Sequence, residues 1–422
     1  MTGIVFNNVK VFDGSVVLPY TAQVRVQGNR ISALANASEP SIALADDAVY
    51  DCRGATLLPG LIEAHAHLSW PSSVEKFVPG MSLPPEELVL TTARNARILL
   101  DHGFTGAYSA GSLSKRVEVA LAEQIDSGGM PGPRLVASSI ERTPPVAGDE
   151  QQLSAGEVDP HGVGPDAVRA FVHDCAEMGA RSVKFLLSGE DALQPGASQQ
   201  LLYTEAEARA AGDAAAETGV WLAAHAQAAE AVKMALRNDF RVLYHCTYAD
   251  EEALDMLEAA RDRIFVAPAI GIIQATLDAT PPPHFDMNHM KRSAAEVRTL
   301  QQRLIPELRR RGIRVLPGGD YGFPFNPNGR NARDLQLFVD LFGYTPADAL
   351  HAATTLGGAL MGMPESLGRI APTYLADLLV VDGDPTEDLT ILQDKQRLLG
   401  IMKDGAFHKE PRALLAARQH RE

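Results

Sequence analysis

The sequence predicts an α/β protein built on a closed parallel (β/α)8 barrel, with a small sheet contributed by both chain ends. Two observations carry that expectation. From Leu57 onward, eight strand-like runs alternate with helix-period segments, which is the order a parallel barrel requires. On either side of them the texture is of short strands: G-I-V-F-N-N-V-K-V-F-D-G and T-A-Q-V-R-V-Q-G-N-R-I-S-A-L before residue 55, L-L-V-V and I-M-K-D-G-A-F after residue 377. The amino-terminal part reads as a small antiparallel unit, and the carboxyl-terminal strands as closing the same sheet.

Leu57 to Leu68, L-L-P-G-L-I-E-A-H-A-H-L, forms the first barrel run. Pro59 and Gly60 punctuate it, and His65 and His67, at i and i+2, leave a strand on one face. The other runs are T-G-A-Y-S-A-G from Thr105, R-L-V-A-S-S-I from Arg134, R-S-V-K-F-L-L-S from Arg181, V-W-L-A-A-H-A from Val220, R-V-L-Y-H-C-T from Arg241, I-F-V-A-P-A-I from Ile264 and R-V-L-P-G-G-D-Y from Arg314. Helix-period segments at Glu86 to Asp101, Asp166 to Met178, Glu205 to Thr218, Ala228 to Arg237, Glu251 to Arg261 and Ala294 to Arg311 lie between them. The irregular stretches Ser69 to Pro85, Glu141 to Gly164 and Gly271 to Lys291 are long enough to be lids or substrate loops.

Composition narrows the function. With 422 residues, 45% of them hydrophobic, the chain can bury a large core and a smaller one. A net charge of -15 argues against nucleic acid or an anionic membrane as partner. Cys52, Cys175 and Cys246 are scattered thiols without a C-x-x-C pair, as in a reducing cytoplasm. The start M-T-G-I-V-F-N-N-V-K is unlike a signal peptide, and no apolar run approaches the ~18 residues of a membrane helix. A cytoplasmic homo-oligomer acting on a small molecule is the expectation.

In a barrel, chemistry gathers at the carboxyl ends of the strands. Those ends carry His65 and His67, His225, His245 and Asp320, with Lys184 inside the fourth run. A lone buried histidine is more often a hydrogen-bonded core residue, but four imidazoles and a carboxylate converging on one mouth can hold one or two divalent ions. Lys184, within V-K-F-L-L, must lose its charge or find a partner. It is either an ion-paired lysine or an amine that has taken up CO2 to give a carbamate bridging two ions. Cys246 beside His245 faces the other way and is expected to pack behind the site. Gly-rich phosphate cradles are absent.

The runs G-L-I-E-A-H-A-H, V-K-F-L-L-S-G, A-A-H-A, Y-H-C-T, G-G-D-Y and L-A-D-L-L-V-V-D-G-D-P together resemble the amidohydrolase superfamily over nearly the whole chain, and within it the prolidase-like and urea- or carbamate-cleaving branch that includes phenylurea, molinate and ochratoxin hydrolases. The resemblance implies a distorted (β/α)8 TIM barrel (57–365) with a split β-sandwich (1–56 and 366–422). It implies two divalent ions, zinc first, with manganese, cobalt or iron as alternatives. His65 and His67 would hold one ion with Asp320, His225 and His245 the other, and carboxylated Lys184 both. Glu63 stands where this strand usually has Asp, and Thr373-Tyr374 replaces a Pro-Gly turn; neither is expected to touch a ligand.

The mechanism expected of such a site is hydrolysis of an amide, urea or carbamate C–N bond by a metal-bridged hydroxide, with Lys184, His245 and Asp320 as catalytic residues. Two cations acidify water from near 16 toward about 7. Asp320 would take the proton and deliver it to the leaving nitrogen. Tyr203, Tyr248 or His161 could add a donor to the oxyanion. Trp70, Phe77, Met81, Phe285, Met287, Tyr321, Phe323 and Phe325 suggest a roomy apolar pocket for an aryl-bearing substrate; Trp70, Tyr203, Tyr248, Tyr321 and Phe323 are the substrate-binding candidates. Lys76, Lys291 and Arg292 could recognise one carboxylate. The alternatives are a Xaa-Pro or Xaa-amino-acid dipeptidase, an N-acyl amino acid hydrolase, and a mononuclear deaminase, which would have an acidic residue in place of the strand-four lysine.

Overall fold

A computed structural model of the protein describes residues 2–18, 20–73, 83–144, 157, 159–191, 194–283 and 285–416. The strands are β1 (Ile4–Val11), β2 (Ala22–Gln27), β3 (Arg30–Asn36), β4 (Ala48–Asp51), β5 (Thr56–Pro59), β6 (Leu61–Ala66), β7 (Phe104–Ser109), β8 (Arg134–Val136), β9 (Ser138–Arg142), β10 (Ser182–Leu186), β11 (Trp221–Ala228), β12 (Val242–Tyr248), β13 (Phe265–Ala267), β14 (Leu378–Val381), β15 (Leu398–Lys403) and β16 (Ala406–Lys409). The fold is mixed α/β. Among the described residues, no helix is long and apolar enough to cross a membrane.

Both chain ends build one eight-stranded sheet in the order β16-β15-β14-β5-β1-β2-β3, with β4 on β1. The amino-terminal part is therefore mixed rather than antiparallel, because β1 pairs parallel with both β4 and β5. The run expected as one opening strand is two. Pro59 ends β5 in the terminal sheet and Gly60 starts the chain toward β6 in another; a Cβ at Gly60 would sit 2.0 Å from the Thr105 hydroxyl, so only glycine passes there.

The parallel strands form two sheets, β6-β7-β8 and β9 to β13 in sequence order. R-L-V-A-S-S-I, expected as one strand, is divided between them as β8 and β9. The eighth run forms no ladder. Pro317 has no N–H to give, a Cβ on Gly319 would collide with Asp334 and Tyr321 at 2.4 Å, and one on Gly318 would crowd His65 at 3.1 Å. Among the described residues, the single bridges Val266–Val315 and Ala66–Tyr321 tie that run to the neighbouring strands, and Ser112–Ile140 spans the gap between the two sheets.

Helices α1 (Pro85–Asp101), α2 (Val117–Asp126), α3 (Pro165–Glu177), α4 (Glu205–Thr218), α5 (Ala229–Arg237), α6 (Glu251–Ala259), α7 (Ile270–Asp278), α8 (Asn288–Arg310) and α9 (Arg333–Phe342) pack around these sheets. α4 shows why the helix boundaries are readable. Thr204 Oγ1 accepts from the Glu207 N–H, the Glu207 carboxylate accepts from the Thr204 N–H, and Gly219 ends the helix in the left-handed region. α7 corrects an expectation, since Gly271 to Lys291 was read as irregular.

The terminal sheet holds a buried ion pair. On β2, Arg25 Nε donates to Asp47 Oδ2 at 2.7 Å and Nη2 to Oδ1 at 3.2 Å, while the Gly3 and Leu44 N–H groups donate to the same carboxylate. The Arg25 guanidinium, followed by these backbone donors, holds the Asp47 carboxyl down to about 2. A lowered folded value makes the contribution complete above the unfolded value near 4 and removes it as pH falls through about 2. We expect Asp47→Asn to cost about 1–2 kcal/mol at pH 7, with the gap to wild type closing between about pH 4 and pH 2; urea unfolding across that range checks it.

Candidate metal centre and cavity

The residues at the strand ends are placed by defects in the ladders. Between β6 and β7 the register steps three residues (Glu63 to Ala66) against two (Ala107 to Ser109), a bulge at His65. The His65 N–H is accepted by Glu63 Oε1 at 2.9 Å, and Glu63 Oε2 accepts from Asn331 at 2.7 Å. Glu63, set aside in the sequence, thus touches the His65 backbone. Burial first, then the Asp334 charge, pushes its carboxyl up to about 8. β12 repeats the pattern: Ala226 faces His245 and Ala228 faces Tyr248, and His245 and Cys246 take left-handed φ values of 69° and 53°. Asp320, after the two glycines, is left-handed at 59°.

These bends bring one set together. His65 Nε2 lies 3.5 Å and His67 Nε2 3.1 Å from Asp320 Oδ1. His65, His245 and Asp320 present ligand atoms within 4.8 Å of one another. The His225 and His245 ring centres are 4.3 Å apart, and those of His65 and His245 5.6 Å. Lys184 Nζ, 1% exposed, donates to Glu141 Oε1 at 2.7 Å and to the Ala110 carbonyl at 3.3 Å, and lies 4.7 Å from the Tyr244 ring centre. Tyr244 in turn stacks on His65 at 3.8 Å.

Three of the imidazoles resist protonation. Burial, and next the Lys184 ammonium, hold His65 well below its usual range and His225 down to about 4; burial and then His225 do the same for His245. Neutral imidazole is the form that binds a cation. Among the candidate ligand atoms, His65 Nδ1 and Asp320 Oδ1 are buried without a hydrogen bond. Unpaired lone pairs, neutral nitrogens and a carboxylate fit divalent ions.

The set opens into a cavity of about 190 Å³. That is apolar as expected but not roomy, since drug-sized sites span roughly 300–1,000 Å³. A larger cavity of about 520 Å³ between α1 and α2 gathers no comparable cluster of titratable groups. Trp70, Phe285, Met287, Phe323 and Phe325 line the smaller one. Trp70 Nε1 is buried without a hydrogen bond. Phe77, Met81 and Lys76 lie outside the described residues.

Other candidates go elsewhere. Tyr203 is buried with its hydroxyl on Arg142, and Tyr321 with its hydroxyl 2.8 Å from Asp334, so neither lines the cavity. Tyr248 points toward Asp191 at 3.5 Å, and His161 pairs with Asp174 at 2.7 Å. Lys291 donates to the Ala279 carbonyl and Arg292 is exposed. Cys246 packs in the core with its thiol pushed up to about 12 by burial, which removes it as a nucleophile.

Sequence reading missed Glu141, Glu190, Gln227, Ile272, Ile273 and Met290 in the lining. The available signal was a carboxylate directly after a strand run, at Glu141 and Glu190. For α7 it was Gln274 and Asp278, polar at i and i+4 within an otherwise largely apolar stretch.

Comparison with known proteins agrees with this geometry. The amidohydrolase family model matches residues 56–407. Ochratoxinase from Aspergillus niger is 24% identical over 379 residues, covering 84% of this chain and 76% of the relative. Among solved structures, a Xaa-Pro dipeptidase with bound methionine superposes at a TM-score of 0.84 with 24% identity, over 97% of this chain and 100% of the other. A prolidase-like protein from Bifidobacterium longum gives 0.81 and 24%, over 97% and 95%. Both share the fold. With a family match spanning most of its length, the chain belongs to the amidohydrolase family, hydrolases that act on C–N bonds.

Proposed function

We propose that the protein hydrolyses an amide, urea or carbamate C–N bond in a hydrophobic, aryl-bearing small molecule. The observation that carries this is the convergence of His65, His67, His225, His245, Asp320 and Lys184 on one apolar cavity. On this reading the eight runs form a distorted (β/α)8 barrel (57–365), supported by the single bridges at its gaps, and the terminal sheet is a β-sandwich made of 1–56 and 366–422.

His65, His67 and Asp320 would hold one divalent ion, His225 and His245 a second, and carboxylated Lys184 both, with zinc the expected element. Bound there, the ions supply Lewis acidity and make water a nucleophile at neutral pH. Carboxylation of Lys184 needs two protons to leave its nitrogen: Glu141, 2.7 Å away, is in place to take the first and free the amine to add CO2, and the second departs to solvent as the carbamate forms. Asp320 takes a proton from the attacking water and returns it to the leaving nitrogen, because an amine departs only once protonated. Tyr203, Tyr248 and His161, the candidates for a donor to the oxyanion, have their polar atoms on Arg142, Asp191 and Asp174. Ile272, Ile273 and Phe285 exclude water around the scissile bond.

A second reading, cleavage of a dipeptide or N-acyl amino acid, draws on the likeness to prolidase-like structures. It needs a cation for the substrate carboxylate, and Lys291 is committed to a backbone carbonyl. A mononuclear deaminase is disfavoured by the lysine at position 184.

Elemental analysis of purified protein should find two ions per chain. Lys184→Ala should lose bound metal and at least about a hundredfold in rate, with partial rescue by short carboxylic acids; a variant retaining both ions would remove the carbamate from the account.

Asp320→Asn should cut kcat by about 10²–10⁴-fold while shifting the unfolding midpoint little. If more than a tenth of the wild-type rate survives, another group carries the proton.

A further inference from the structure

Three side-chain amides in the turn after the eighth run reach the backbone behind one half of the proposed metal centre. Asn326, Asn328 and Asn331 are 2%, 8% and 2% exposed. Asn326 Nδ2 donates to the Gly319 carbonyl at 2.9 Å and to the Asp320 carbonyl at 2.8 Å. Asn328 Nδ2 donates to the His67 carbonyl at 3.2 Å. Asn331 Nδ2 donates to Glu63 Oε2 at 2.7 Å, and Glu63 Oε1 accepts the His65 N–H at 2.9 Å. Asn331 Oδ1 accepts the Gly329 N–H at 2.9 Å, which turns its Nδ2 toward Glu63. One short segment thus braces Asp320, His67 and, through Glu63, His65, the three residues assigned to the first ion. His225 and His245 are held otherwise, inside the ladders: the His225 carbonyl accepts the Leu187 N–H at 2.9 Å, and His245 faces Ala226.

The residue type suits the place. An amide N–H satisfies a buried carbonyl without adding charge. A lysine or arginine there would repel a cation, and a carboxylate would compete to bind it. The bracing matters because the backbone is unfavourable: Asp320 is left-handed at a φ of 59°, and His65 sits at a bulge. Ligands already held in place lose less freedom when an ion binds, so the partners behind them raise its affinity.

We propose that Asn326, Asn328 and Asn331 are positioning residues for the ion at His65, His67 and Asp320, and not for the ion at His225 and His245. This rests on the ligand assignment proposed above, and extends it to the residues that hold those ligands still.

The test is zinc binding to the metal-free protein, titrated against a competing chelator. Asn326→Ala, Asn328→Ala and Asn331→Ala should each weaken one ion by about 10–100-fold and spare the other. Asn238→Ala is the control: that amide is also buried, at 6% exposed, and donates to the Met234 carbonyl and to Glu205. It should lower the unfolding midpoint and leave both ions in place. With cobalt(II) in the sites, the visible spectrum reads ligand geometry, and it should change in the three variants but not in the control. Asn328→Ala guards against a variant that fails to fold, since it removes one 3.2 Å bond together with an Oδ1 that has no partner. In a His67→Ala background it should cost no further affinity, and in a His225→Ala background it should cost the full amount. Wild-type affinity and spectrum in all three variants, equal weakening of both ions, or a loss matched by Asn238→Ala overturns the proposal and leaves the metal centre standing. A wild type that takes up no zinc overturns both.

Discussion

Too many basic groups share one buried space for all of them to be charged, and this constraint organises the centre of the molecule. His65, His225 and His245 sit beside the Lys184 ammonium, and burial together with that ammonium keeps their rings neutral. Neutral rings have lone pairs to offer. Glu141 answers the lysine charge from the side, and Tyr244 lies between the two systems, one face against His65 and the lysine over its ring. The cluster can thus offer lone pairs to a cation, in an environment that would reject a bare one without ligands.

Regular strands alone would not bring these groups together. Side chains on an ideal ladder alternate strictly, and the set depends on two bulges and on left-handed residues at His245 and Asp320. Such backbone is unfavourable for residues with a Cβ, so it persists only where its surroundings hold it. Glu63 does so at the first bulge by taking up the His65 N–H, and Asn331 holds Glu63 in turn. At the last run the support is close packing: Gly318 against His65, and Gly319 against Asp334 and Tyr321.

What the sequence disclosed follows from how locally each feature is encoded. Helix α4 is written in its own cap residues, and the histidines, Asp320 and Lys184 stand out because polar groups at the ends of apolar runs are chemically conspicuous. The side chains that depend on a distant partner were not legible. Tyr203 and Tyr321 looked free to meet a substrate, yet their hydroxyls belong to Arg142 and Asp334, residues far away in sequence or hidden beyond a turn. The strand expected over Arg314 to Tyr321 failed on its own Pro-Gly-Gly, where ladder formation yields to close approach. Helix α7 was hard to see because it is short, and Gln274 and Asp278 are a thin polar side beside residues that border the cavity and the core.

The terminal sheet constrains how the chain is made. β5 lies between β1 and β14, with Thr56 opposite Val381 and Leu58 opposite Leu379. A ribosome delivers β1 and β5 early and β14 near the end, so for most of synthesis β5 has one edge without its partner, and Leu57 and Leu58 must wait for the carboxyl-terminal strands. Pro59 and Gly60 join that waiting strand directly to the one that carries His65. Folding of this sheet therefore cannot be completed from β1 and β5 alone, and the nascent chain has an unpaired apolar edge until β14 emerges, which is where chaperone capture and aggregation would compete.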